Sequence, residues 1–382
     1  MSAKSNFSAR RAMFRALAPR RIAVGGAARG RRARVGASAV RASGGRWNAT
    51  SGPNAAARAL GTGERVRVLL VGEGDFSFAR ALVRVTSASA GTVATATLST
   101  SSVTITATSL ESASVIRQAW RGASNVDALA AAPNVRVEHG VDATALLESF
   151  ERGTFDRVCF MFPHIAGKGR INRNRELLFG YLSSARDVLA PNGLIEVALA
   201  PGQGGTSVDG SALRDYGNSW QAYTQGAEAG LLMIDVAPFD DAAWRALEYE
   251  SRGHWRSAEA ERGFRTEQGA SHVFCREHER PDGAFCEYAQ AFERDCSIWC
   301  RADDEDGESI IREEFARALN GADVQLDVSQ IDEYRETESN RLSRTYRVVY
   351  TSRTVALTRE KVNSYNDSAR ANLGDRLRGA MP

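Results

Sequence analysis

Two hydrophobic periods alternate along the first three quarters of the chain. Short apolar runs predict strands at 66–71 ("VRVLLV"), 103–107 ("VTITA"), 135–138, 155–162 ("FDRVCFMF") and 194–199. Between them, apolar residues recur at helical spacing and predict helices from 76, over 113–129, over 143–148 and over 174–189. The last of these stops at Pro191-Asn192-Gly193, a helix terminator. The small, polar stretch 87–101 reads as an inserted loop, and the glycine run 201–206 ("PGQGGT") as a mobile loop or lid. Strands alternating with helices predict a parallel sheet covered on both faces, with any ligand at the carboxyl ends of the strands.

After about residue 280 the pattern changes. Strands are predicted at 294–301, 322–335 and 341–352, with helices over 310–319 and 358–373 and a short final strand at the end. The order β-α-β-β-α-β is that of an α+β ferredoxin-like unit. The chain therefore divides into a basic arm (1–63), an α/β domain (64–280) and an α+β domain (281–382).

Charge sharpens the first of these boundaries. Residues 1–63 hold thirteen Lys and Arg and no acid, although the whole chain is only +3, so the remainder is net acidic. An arm rich in Arg, Ala, Ser and Gly has the composition of a transit peptide for a plastid or mitochondrion; the alternative is a disordered basic arm that touches nucleic acid. An acidic remainder must hold nucleic acid through local basic patches and not through a global field. The five cysteines lack a CxxC pair and fit reduced thiols better than a zinc site, so no metal is expected. No run of about 18 uninterrupted apolar residues is present, so no membrane span is expected.

The first predicted strand ends in Gly72-Glu73-Gly74-Asp75. Glycines allow a tight strand-to-helix turn and close approach of a ligand. Two carboxylates there oppose a pyrophosphate and favour a ligand with a cation and hydroxyls. S-adenosylmethionine (AdoMet), with its sulfonium, ammonium and ribose, fits that description. A nicotinamide cofactor fits worse, and there is no third glycine of GxGxxG; a turn built for packing alone is the remaining reading. Glu111 follows the second strand, where an acid can hold ribose hydroxyls, and Asp142 follows the third, where it can face adenine or simply cap a helix. The fourth strand runs into Phe162-Pro163-His164, which puts an aromatic ring and an imidazole at the same edge. The competing reading makes Pro163 a turn former and His164 a solvated histidine.

Taken together, "LLVGEGDFSFA", "ATSLES", "HGVDAT", "FDRVCFMFPH", "KGRINRNRELL" and "ALAPGQGGT…NSW" resemble the Rossmann-like AdoMet methyltransferase domain of the large-subunit rRNA (uridine-N3) methyltransferases. The C-terminal "RDCSIW…TYRVVYTSRTVALTREKVN" resembles the ferredoxin-fold anticodon-binding domain that ends organellar phenylalanyl-tRNA synthetases, and the two parts are similar to proteins that fuse them. The resemblance implies AdoMet as cofactor, with Gly72, Glu73, Gly74 and Asp75 lining its methionine end, Glu111 its ribose and Asp142 its adenine. It implies a structured RNA as partner, rRNA or tRNA, and N3 of a uridine as methyl acceptor. One position departs from the pattern: Met161 stands where the family carries Asn before Phe-Pro-His, and methionine neither donates nor accepts well.

These residues suggest a mechanism. The target base leaves its stack, rests on Phe162, and gives its N3 proton to His164. In the second domain Arg344, Tyr346, Arg347 and Arg353 are expected to bind RNA, arginines on phosphates and tyrosine on bases; alternatively the arginines pair with Glu333, Glu336 and Glu338 while alternate residues of the strand are core. A non-catalytic RNA-binding or ribosome-associated factor that retained the fold is the competing function, and Met161 is its best support. The location expected from the arm is an organelle; that expected from the rRNA-modifying relatives is the nucleolus.

Overall fold

The computed structural model describes residues 47–60, 65–91, 103–118, 121–165, 170–251, 265–300, 307–337 and 342–380. The first 46 residues of the basic arm and the expected loop beyond residue 91 lie outside them.

Ten strands and nine helices are described. In chain order the first part runs α1 (Pro53–Leu60), β1 (Val66–Val71), α2 (Ser77–Gly91), β2 (Val103–Ser109), α3 (Ala113–Gln118), α4 (Gly122–Ala130), β3 (Val135–His139), β4 (Phe155–Met161), α5 (Ile171–Val188), β5 (Leu189–Leu199), α6 (Ala222–Glu228), β6 (Leu231–Pro238), α7 (Asp241–Ala246) and β7 (Ala270–Arg276). They form one seven-stranded sheet in the order β3-β2-β1-β4-β5-β7-β6. Strand order reverses between β1 and β4, whose pairing is parallel with Val71 opposite Phe160. The sheet is not wholly parallel, as the early strands alone suggest: β7 runs antiparallel to both β5 and β6. The reason lies in the connection, since β7 follows β6 through α7 and returns between two strands already laid down. The expected helix over 143–148 is reduced to a single 3-10 turn, Leu146–Glu148, and the 113–129 helix divides into α3 and α4.

Both faces of this sheet are buried. On one face Leu69, Val71, Val158, Phe160, Val197 and Leu199 pack against Leu178, Tyr181, Leu182 and Ala185 of α5. On the other, Val68, Leu70, Ile105 and Cys159 pack against Phe78, Ala81 and Leu82 of α2 and against Trp244 and Tyr249. Consecutive strand residues serve opposite faces, so a strand buried on both sides reads as a continuous apolar run.

The folded structure begins well before residue 64, which corrects the boundary read from charge. Residues 47–52 lie across the sheet. The Glu196 carboxylate on β5, with no solvent exposure, accepts from the backbone N–H of Ala49 and Thr50 at 2.9 Å each and forms an ion pair with Arg157 of β4, which also donates to Trp47 O at 2.7 Å. Asn48 donates to Ser271 O at 3.0 Å, and the Trp244 indole donates to Thr50 O at 3.0 Å. In α1, Ala55, Ala56 and Leu60 are buried. The arm's composition concealed this segment because its contacts are made by backbone groups and small side chains.

The second part comprises β8 (Phe292–Cys300), α8 (Gly307–Ala318), β9 (Gln325–Arg335), β10 (Leu342–Thr351) and α9 (Arg359–Ala380). Its antiparallel sheet has the order β8-β10-β9. Ile298, Val328, Tyr346, Val348 and Tyr350 on one face pack against Ile311 and Phe315 of α8 and Val362, Ala369 and Leu373 of α9. This is the β-α-β-β-α portion of a ferredoxin-like fold. The expected closing strand is absent from the described residues, because α9 continues to Ala380. The two parts are joined by contacts as well as by chain: Ala356 is buried in the first core, Leu357 N–H donates to the Tyr223 hydroxyl at 3.1 Å, and Lys361 pairs with Glu277 at 2.8 Å.

Candidate active site

The carboxyl ends of β1 to β5 share one edge. Backbone bonds hold their exits together: Glu73 N–H donates to Thr108 O at 2.9 Å, Val141 N–H to Ser109 O at 2.9 Å, and Phe162 N–H to Ala198 O at 2.9 Å. Gly72, Glu73, Gly74, Asp75, Glu111, Asp142, Phe162, Pro163 and His164 are thus brought to one edge.

Within the glycine turn the roles divide. Gly72 has φ +68, and a Cβ there would collide with the Phe160 ring, so only glycine fits. Gly74 is exposed, while Glu73 and Asp75 are buried. Their carboxylates turn toward the start of α2: an oxygen of Glu73 accepts from Ala79 N–H at 3.4 Å, and Asp75 Oδ1 accepts from Ser77 N–H at 3.0 Å. Both acids therefore cap a helix as well as lining the turn. Burial, with Asp75 beside it, pushes the Glu73 carboxyl up to about 8, so it is mostly protonated at neutral pH. Phe76 sits in the left-handed region, φ +62, with its ring edge-on to His139 at 5.5 Å.

Glu111 is half-buried. Its main-chain oxygen accepts from Ser109 Oγ at 2.9 Å, and among the described residues nothing engages its carboxylate. Asp142 is exposed, and its Oδ1 accepts from both N–H and Oγ1 of Thr144 at 2.8 Å, the cap that an acid in this position permits.

At the β4 exit, Met161 and His164 are half-buried and Pro163 is buried. Phe162 departs from its expected role. It has φ +50, and its ring is packed edge-on against Phe239 at 4.9 Å and beneath Gly269, so it belongs to the core and presents no open face for stacking.

The glycine run after β5 is anchored, not lid-like. Asp209, buried, accepts from Gly202 N–H at 3.1 Å, Gly205 N–H at 2.9 Å and Thr206 N–H at 3.3 Å. Gln203 O accepts from Trp220 N–H at 2.7 Å, and the Gln203 amide oxygen accepts from Ala200 N–H at 3.1 Å. His272 of β7 lies directly under Gly204, fully buried, and burial pushes its pKa down. Sequence reasoning missed Asp209; the signal was an acid three residues after Thr206, the spacing of a capping box.

The residues expected to bind RNA on the second sheet are already occupied. Tyr346 is 2% exposed, in the core with its hydroxyl against Gly307. Arg344 pairs with Glu333 at 3.2 Å, Arg347 with Asp295 at 2.9 Å, and Arg353 lies 3.7 Å over the Phe285 ring. The pairing with Glu333 is the alternative that the sequence left open; the partner of Arg347 lies on the other neighbouring strand.

Seven strands in this order, helices on both faces and an acid-bearing glycine turn after the first strand define the class: a Rossmann-like, AdoMet-dependent methyltransferase domain. More particularly, residues 69–253 match the family model described as BMT5-like, rRNA (uridine-N3-)-methyltransferase. The chain is 40% identical over 144 residues to the human ferredoxin-fold anticodon-binding domain-containing protein 1, and 36% identical over 145 residues to its mouse homolog. Each match covers 37% of this chain and 22% of the relative, so the similarity spans about a fifth of the relatives' length. Among solved structures, a SAM-dependent methyltransferase from Aquifex aeolicus aligns with 12% identity and a TM-score of 0.34, over 59% of this chain and 89% of that one. Among the described residues no group of three or more His, Cys, Asp and Glu is placed to hold a metal ion, and no helix is long and apolar enough to cross a membrane.

Proposed function

We propose that this protein transfers a methyl group from AdoMet to N3 of a uridine in structured RNA, most simply rRNA. The observation that carries the reading is the coincidence of the BMT5-like match with an edge where carboxylates follow three consecutive strands. The donor set fits the cofactor. Glu111 and Asp142 offer acceptors for hydroxyls and an amine, and Gly74 leaves the turn open on its exposed side. A phosphate would meet Asp75 behind that turn. When bound, AdoMet supplies an electrophilic methyl group.

The remaining work falls to this chain's own residues. The base must be unpaired before N3 is reachable, at a cost of a few kcal/mol. His164 is the group at the β4 exit suited to accept the N3 proton. The fixed β4 and β5 exits supply orientation, which is the larger share of the rate in a two-reactant transfer. Because Phe162 is core, the base rests on some other surface. Met161, apolar at the exit, favours the second reading, a non-catalytic RNA-binding factor. Calorimetry with AdoMet, followed by nucleoside mass spectrometry of RNA incubated with protein and AdoMet, tests the proposal: binding and 3-methyluridine support it, while no binding at high micromolar concentration favours the second reading. On the composition of the arm, we propose an organelle as the location.

A further inference from the structure

Arginines outside the predicted site lie on the same edge. Arg170 precedes α5, Arg173 lies in its first turn, and Arg214 lies in the segment after β5; all three are exposed. Among the described residues none of them has a carboxylate partner. This sets them apart from Arg80, Arg84, Arg117, Arg344 and Arg347, each of which is paired with an acid.

The segments that carry them are joined. Arg175 of α5 donates to Gly217 O at 2.8 Å and Ser219 O at 2.6 Å, tying the segment after β5 to the start of α5. Arg214 lies over Gly202, whose N–H is held by Asp209. Gly202 and His164 leave from neighbouring strands, where Met161 is opposite Ala198. Two exposed acids, Glu176 and Asp215, lie near them in the chain, and no ion pair joins either acid to Arg170, Arg173 or Arg214 among the described residues. Leu213, 50% exposed beside Arg214, adds an apolar surface of the kind a base can lie against.

We infer that Arg170, Arg173 and Arg214 dock the phosphate backbone of RNA beside the methyl-transfer edge, and that the paired arginines of the three-stranded sheet do not. Exposed guanidiniums without acid partners are complementary to phosphodiesters, and in a chain that is acidic outside its arm a local cluster is what holds RNA. The inference rests on the methyltransferase reading only in calling the bound RNA a substrate.

The test uses the full chain and a fluorescein-labelled RNA stem-loop with a uridine-containing loop, read by fluorescence anisotropy over a range of salt. The basic arm is present in every variant, so differences belong to the rim. The triple variant Arg170→Glu, Arg173→Glu, Arg214→Glu is expected to bind roughly 30-fold more weakly, with a slope of log K against log salt flatter by about 2. The triple alanine variant should lose less, in the same direction. Arg344→Gln with Arg347→Gln should stay within about twofold of the parent. AdoMet calorimetry and a thermal melt on each variant report whether it is folded. Unchanged RNA affinity in folded triple variants overturns the inference, as does a loss confined to the Arg344 and Arg347 variant. So does a loss of binding to anionic phospholipid vesicles with RNA affinity retained. If no variant binds AdoMet while the rim variants still lose RNA, the methylation reading fails and the docking surface stands.

Discussion

The two sheets carry arginine in opposite ways. On the three-stranded sheet, Arg347 faces Asp295 across β8 and β10, and Arg344 reaches Glu333 on β9. Register alone creates those pairs, because residues directly opposite on antiparallel strands are neighbours. On the seven-stranded sheet, both faces are sealed by helices and Arg157 is buried against Glu196, while Arg170, Arg173 and Arg214, at the carboxyl edge, have no acid partner among the described residues. A basic residue in a strand with acids on its neighbours is therefore a poor indicator of nucleic-acid binding.

Four substitutions probe this contrast. The largest effect is expected at Glu196→Ala, which leaves Arg157 buried without its partner and frees the N–H groups of Ala49 and Thr50; a loss of about 3–5 kcal/mol in denaturant unfolding is expected. Removal of residues 47–52 should be comparably damaging, and a chain that melts normally without them would show that the strap is not part of the fold. His164→Ala should lower single-turnover methyl transfer by about 10²–10⁴-fold with AdoMet affinity intact; an unchanged rate removes His164 from the mechanism.

Glu73→Gln probes the turn through pH. The folded carboxyl is raised from 4.5 to about 8, so the native state holds a proton that the unfolded chain has already released between those values. The parent should lose stability as pH rises through that window, at about 1 kcal/mol per pH unit, and the glutamine variant should not. A parallel pH dependence in both proteins would refute the assignment. The smallest effect is expected at Arg344→Gln, below about 1 kcal/mol, since the Glu333 side chain of that pair is close to half exposed. A larger loss there would blur the distinction between the two sheets.

Much of the fold was legible. Apolar runs such as Val66–Val71 are read directly because burial on both faces removes the polar half of the pattern. The antiparallel pair β6 and β7 was not foreseen, since direction depends on which strands are already neighbours. Glycine at 72 was legible as a local requirement of the turn, and the acids after three strands as side chains that the fold brings to one edge. Which way Glu73 and Asp75 point was not, because a carboxylate beside a helix start can serve the helix or the ligand with the same residue type.

By itself the sequence determined the order of the first five strands and the change of fold after about residue 280, because these follow from periodicity and turn geometry within a few residues. Only the tertiary structure decided that Phe162 and Tyr346 are core, that residues 47–60 belong to the fold despite their arm-like composition, and which arginines keep their charge unpaired. Those outcomes depend on partners far away in the chain. Burial and ion pairing are properties of where two segments meet, and that meeting is written in no local stretch of residues.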